Sequence, residues 1–190
     1  MRIQAYFQNI LVFLVMSIVC CSLAGCGSTR NNQSPQEESE GYYWYEAIFL
    51  QREDVEKAFK TVSERFPLYK YVPEDFHVTT KYKPEIKHES LYGTAVTVHI
   101  TGYVSGIVYD TEEDFVSENE GLLVEVSSTN EEMQSLIDSI ERTWHITGSY
   151  SGAAKYTNHL DFSNAVPMDI TIKGVFGMAD SEGNVILEAG

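Results

Sequence analysis

Cysteine is scarce in this 190-residue chain, and its three copies, Cys20, Cys21 and Cys26, all fall in the first 26 positions. The remainder is free of thiols, which excludes an internal disulfide, a cysteine-based metal site and a cysteine nucleophile from it. Positive charge is also in short supply: 13 Lys and Arg face 28 Asp and Glu, for a formal net charge of −15. A surface of that sign does not coat long nucleic acid by neutralising phosphates, so any phosphate has to be handled in a locally basic cleft. Missing too are the dinucleotide G-x-G-x-x-G, the Gly-Lys-Ser/Thr phosphate loop, H-E-x-x-H and G-x-S-x-G. Composition is nonetheless globular, with 43% apolar and 12% aromatic residues, which excludes disordered and fibrous classes.

The N-terminal region reads as an export signal. Arg2 gives a weakly basic start, and the apolar run Ile10–Val19 fits a signal-peptide core while being too short for a comfortable membrane span. The run ends in Leu23-Ala24-Gly25-Cys26, which resembles the lipobox of bacterial lipoproteins. That resemblance implies cleavage after residue 25, diacylation of Cys26 and anchoring to the membrane, outside the cytoplasm. An ordinary secretory peptide is the alternative. Residues 26–41 are polar, without hydrophobic period, and read as a flexible tether.

From Tyr42 the pattern becomes that of one folded domain, 42–190. The order of expected elements is a strand at 42–50 and a helix from Glu53 to Phe66, stopped by Pro67, then a strand at 76–82. A β-rich stretch from Gly93 to Tyr109, broken by Gly102 and Gly106, leads into the acidic tract DTEEDFVSENE, read as a solvated hairpin loop. A buried-type strand GLLVEVSS, a helix capped by Asn130, a strand WHITGSY and a closing hairpin turned at 180–184 complete the chain. Segregated helices and antiparallel strands in this order predict an α+β fold of two similar halves.

Chemistry concentrates in a tripeptide. On a strand, residues i and i+2 face one way, so His77 with Thr79, and His145 with Thr147, each present an imidazole and a hydroxyl together. Four His-x-Ser/Thr tripeptides occur, at His77, His88, His99 and His145, and the tripeptide alone is weak evidence. Position separates them: His77 and His145 each lie on the strand following a helix. His88 sits in a charged loop, expected to be solvated, and His99 in the next strand, expected to be structural. His159 is also expected outside the site. Eight of the 13 basic residues lie between Arg52 and Lys87. Lys81, two places past Thr79, is expected to share its face. Lys155 and Tyr156 are weaker phosphate candidates in the loop after the second motif, and Tyr82 is a stacking candidate.

With these motifs in place, the chain resembles the two-histidine (2H) phosphoesterases, across most of residues 42–190. YEAIFLQREDVEKAF is similar to that family's opening strand and helix, VPEDFHVTTKY to the first motif, HITGSYSGAAKYTN to the second, and PMDITIKGVFGMA to the last strand. The resemblance implies a two-lobed, pseudo-twofold fold, antiparallel sheets lining a central cleft with helices outside. It further implies hydrolysis of a phosphodiester, typically a ribose 2′,3′-cyclic phosphate in a small nucleotide or RNA end, without metal or other cofactor. His77 and His145 would be the acid and base, with Thr79 and Thr147 on the phosphate oxygens. Thr80 and Gly148 depart from the apolar fourth position of the family motif, and Gly148 is expected to weaken packing behind His145. A domain that binds a nucleotide without cleaving it, or a lipid-anchored interaction module, are the competing classes.

Overall fold

A computed structural model of the chain describes residues 44–110, 115–152 and 157–188. The export signal, Cys26, the tether, Lys155 and Tyr156 lie outside the described residues. The first strand, β1 (Tyr45–Leu50), is followed by α1 (Arg52–Val62), whose Val55, Ala58 and Phe59 recur at helical spacing and are buried. Glu53 and Asp54 in the first turn and Lys60 in the last complement the helix dipole. The helix stops at Val62, short of its expected end. Phe66 instead folds back to stack on Phe59, ring centroids 4.6 Å apart, which gives it the same apolar contact without four more residues of helix.

Next come β2 (His77–Tyr82), β3 (Ala95–Asp110) and β4 (Phe115–Ser127). The glycines do not break β3; a bulge between Ile100 and Gly102 absorbs the irregularity while pairing to β4 continues. The acidic tract departs from the expected solvated loop. Its second half is strand, not solvated loop, and Glu120 is fully buried. Helix α2 (Glu131–Asp138) begins as expected at Asn130, whose side chain accepts the Met133 N–H at 2.9 Å. Then β5 (His145–Tyr150), β6 (Val166–Ala179) and the short β7 (Val185–Ile186) close the chain. The fold is α+β, and among the described residues no helix is long and apolar enough to cross a membrane.

All strands join one sheet in the order β2-β1-β6-β3-β4-β5, with β7 on β6, and every described pair is antiparallel. Exchanging β1 with β4, β2 with β5 and β3 with β6 reverses this order, so the strand order reads the same from both ends. One face carries Ile48, Val78, Val98, Ile100, Leu122, Val124, Ile146 and Phe176, which join Val55 and Phe59 of α1 and Met133 and Ile137 of α2 in one core. The sheet curls around that core until its edges meet. Tyr71 and Tyr150 exchange backbone hydrogen bonds of 3.0 and 2.9 Å, the Tyr69 N–H reaches Ser149 Oγ at 2.8 Å, and Arg142 donates to the Thr79 carbonyl at 2.7 Å. These ties form a seam between β2 and β5, the two strands that carry the histidine motifs.

Candidate functional site at the seam of the sheet

Val78 and Ile146 are both fully buried in the core, and strand alternation therefore turns His77 and Thr79, and His145 and Thr147, to the outer face. Register makes the two strands equivalent. His77 lies opposite Phe49 and Thr79 opposite Ala47; His145 lies opposite Leu123 and Thr147 opposite Gly121. Each motif histidine is the first residue of its strand, and each is clamped in the same way. Nδ1 of His77 sits 3.0 Å from the Asp75 carbonyl, and Nδ1 of His145 sits 3.3 Å from the Thr143 carbonyl. A carbonyl accepts only, so Nδ1 carries the proton and the lone pair of the neutral ring is on Nε2.

Both motifs lie within the stretch bounded by the Tyr71–Tyr150 tie and the Arg142–Thr79 tie. The seam thus brings His77, Thr79, His145 and Thr147 onto neighbouring strands with a common outward face. Their surroundings differ. His77 is flanked by Tyr45 and Phe49, ring centroids 4.8 and 6.0 Å away. His145 lies against Phe162 at 5.7 Å; burial pushes its pKa below the ordinary histidine value, the Thr143 carbonyl works against that, and the Arg142 charge adds to it. Thr79 is 9% exposed and Thr147 half-buried.

The other histidines are placed apart from the seam. His88 is solvated only in part: its side chain is 35% exposed, and its Nδ1 pairs at 2.9 Å with Glu46, a carboxylate only 1% exposed. His99 does face outward, on β3 two strands from His145, with Asp169 at 2.9 Å and Glu125 at 3.8 Å. His159 lines a separate open cavity of about 430 Å³ with Tyr103, Ile107, Leu160 and Val166. Lys81 leaves the expected face, because the register shift beside Glu46 pairs Lys81 with Glu46 and Tyr82 with Tyr45. Tyr82 is the residue brought onto the outer side, 60% exposed and with its ring 5.8 Å from Tyr45.

His-x-Thr is only part of the repeat, which the register carries further. Tyr82 opposite Tyr45 corresponds to Tyr150 opposite Asn119, so the unit is His-x-Thr-x-x-Tyr, written HVTTKY and HITGSY. Upstream, Glu46-Ala-Ile-Phe-Leu matches Glu120-Gly-Leu-Leu-Val in the same alignment. Both glutamates are buried, each beside a register shift, and each accepts a tyrosine hydroxyl at 3.1 Å, Tyr92 on Glu46 and Tyr103 on Glu120. Burial and the nearby carboxylate raise the Tyr103 pKa to about 12, with the Ser105 hydrogen bond opposing. The signal for all this was in the sequence as two short repeats 74 and 68 residues apart.

Gly148 is likewise a requirement of packing behind the second histidine. A Cβ there would come within 2.5 Å of Phe59 Cζ and 2.7 Å of Glu120 Cγ, so the missing side chain admits α1 to the strand. Comparison with protein-family models, with curated proteins and with solved structures found no match to this chain.

Proposed function

We propose that the chain is a metal-independent phosphodiesterase of the two-histidine type, acting on a ribose 2′,3′-cyclic phosphate. The observation that carries the reading is the duplicated His-x-Thr on the two seam strands, each imidazole held by Nδ1 so that Nε2 is its basic nitrogen. In this reading the matched register of the two halves is a pseudo-twofold relation, and the outer face of the seam is the catalytic cleft. Cys26 is acylated and holds the domain at the outer side of a bacterial membrane.

His145, whose pKa is lowered, is the neutral partner and takes a proton from water as its oxygen bonds to phosphorus. His77, protonated, gives its proton to the ribose oxygen as that P–O bond breaks, leaving a phosphomonoester. The Thr79 and Thr147 hydroxyls donate to the non-bridging oxygens, where negative charge builds. A second reading, a domain that holds the nucleotide without cleaving it, draws support from the placement of His145 against Phe162.

The test is a screen of the full chain against 2′,3′-cyclic nucleotides by phosphorus NMR, with chelator present. Turnover is expected to persist in chelator and to follow a bell-shaped pH profile. His77→Ala and His145→Ala are each expected to lose at least about 10²-fold, and His99→Ala to retain activity. Abolition by chelator, or equal losses from His99→Ala and His145→Ala, rejects the mechanism. Binding without turnover selects the second reading.

A further inference from the structure

The seam of this acidic protein contains a cation that the histidine motifs do not include. Arg142 precedes β5, and its Nη1 reaches across to the Thr79 carbonyl at 2.7 Å and the Thr80 carbonyl at 3.4 Å. Its guanidinium lies 5.8 Å from the Trp144 ring centroid and is half-buried. Among the described residues the ion pairs involve Arg52, Lys60, His88 and His99, and none provides Arg142 with a carboxylate. Nor do its other guanidinium nitrogens meet an acceptor among the described residues. Two carbonyl dipoles are weak compensation for a partly desolvated full charge, and an arginine stays protonated even where burial lowers its pKa.

The groups that feel this charge are Tyr82 and His145, both on the outer face of the seam. Other cations nearby are committed or turned away. Lys70 sits over the Tyr71 ring at 4.5 Å and bonds its hydroxyl, Arg52 holds the Pro73 and Glu74 carbonyls, and Lys81 is displaced by the bulge. A planar guanidinium with N–H groups unengaged among the described residues, near the His145 imidazole and tied to the strand that carries His77, matches a dianionic or monoanionic phosphate, which it can grip through two parallel hydrogen bonds.

We propose that Arg142 binds the phosphate group of the ligand in the seam, holding its non-bridging oxygens between His77 and His145. This rests on the reading of the seam as a phosphodiester site, and it makes Arg142 the anion-binding residue in place of Lys81. The competing role is mechanical, a fastener of the β2 edge, and the substitutions separate the two. Arg142→Gln keeps an N–H donor but removes the charge; Arg142→Lys keeps the charge but not the fork.

The experiment titrates the full chain with inorganic phosphate and, separately, measures turnover of a 2′,3′-cyclic nucleotide. Phosphate is expected to shift the Arg142 Nε–H resonance of the unaltered protein. Arg142→Gln is expected to weaken phosphate binding at least tenfold with the melting temperature kept, a pairing of results that loss of a mere fastener would not produce. Arg142→Lys is expected to fall between the two. Unchanged phosphate affinity in Arg142→Gln, or an Arg142 resonance unmoved by phosphate, overturns the assignment, and the second result needs no folded variant. Phosphate bound through Arg142 without turnover keeps the assignment and rejects the hydrolytic reading. Turnover that is indifferent to Arg142→Gln does the reverse.

Discussion

The first half of the domain, β1-α1-β2, and the second, β4-α2-β5, solve one structural problem with different materials. Each places a buried glutamate beside a register shift, three residues before the residue that pairs with the motif histidine. In the first half Glu46 accepts from His88, through both backbone N–H at 2.6 Å and Nδ1 at 2.9 Å, and from Tyr92. In the second, Glu120 accepts from Ser149 Oγ at 2.5 Å, from the N–H groups of Ser149 and Leu68 at 3.2 and 3.3 Å, and from Tyr103. The positions are equivalent while the partners are not. A buried carboxylate is tolerated in any setting that saturates its lone pairs with donors, so the position can be retained while its neighbours drift.

That difference gives the largest stability effects. Glu120→Ala would strip an acceptor from four donors in a dry site that joins the seam to β4, and is expected to cost about 3–5 kcal/mol. Glu46→Ala is expected to cost less, about 1–3 kcal/mol, because water can reach the half-exposed His88 side chain and replace the lost bond. Urea unfolding midpoints of the two variants check the order. Equal losses, or a larger one for Glu46→Ala, would mean that the saturation of the carboxylate does not set its contribution.

The bulge position behind each motif is the next point of contrast, Thr80 in β2 and Gly148 in β5. Gly148→Ala is expected to destabilise by about 1–3 kcal/mol, since the new methyl meets the edge of the Phe59 ring and the stem of Glu120, neither of which has room to retreat. A neutral outcome in thermal unfolding would show that α1 is free to shift away from β5.

The two motif histidines also differ in their response to acid. The folded His145 has a pKa below its unfolded value of about 6.5, burial being the main cause. Above about pH 6.5 the ring is neutral in both states and its burial costs no ionisation energy. As pH falls below that value the unfolded chain takes up a proton that the folded chain resists, so stability declines until the folded pKa is passed. His145→Asn is therefore expected to flatten the loss of stability between pH 7.5 and pH 5.5 relative to the unaltered protein. A steeper loss in the variant would reverse the sign of the shift.

Much of the fold could be read from local pattern. Alternation in HVTTKY and WHITGSY, the apolar spacing of Val55, Ala58 and Phe59, and the Asn130 cap each act within a few residues, and the corresponding elements formed at these places, although both helices end before the expected stop. The site was legible only in part, for reasons that are non-local. Lys81 fails to share the face of Thr79 because a bulge against β1 intervenes, and a period of two cannot register an inserted residue. The contact of Arg142 with Thr79 does not show in the sequence because it comes from the curl of the sheet, which brings opposite edges of the strand order together. An acidic run predicts a solvated Glu120, because charge in such a run usually is solvated; its burial depends on a serine 29 residues away and a tyrosine 17 residues away.

The smallest expected effect lies at Thr80, and it runs in the opposite direction to the others. Thr80 is 4% exposed, and its Oγ1 has no hydrogen-bond partner among the described residues. A buried hydroxyl without a partner loses its water bonds on folding and regains nothing, whereas the methyl and the branched shape of the side chain still fill the strand interior. Thr80→Val retains that shape and replaces the hydroxyl with a second methyl, so it is expected to raise stability by about 1 kcal/mol. Thr80→Gly, which imitates the second half, removes both the hydroxyl and the packing and adds backbone freedom to the unfolded chain, so it is expected to destabilise. The two substitutions thus move in opposite directions from one position. If Thr80→Val were destabilising, the hydroxyl would have a partner, and the seam beside Arg142 is the place to look for it, since Arg142 already donates to the Thr80 carbonyl.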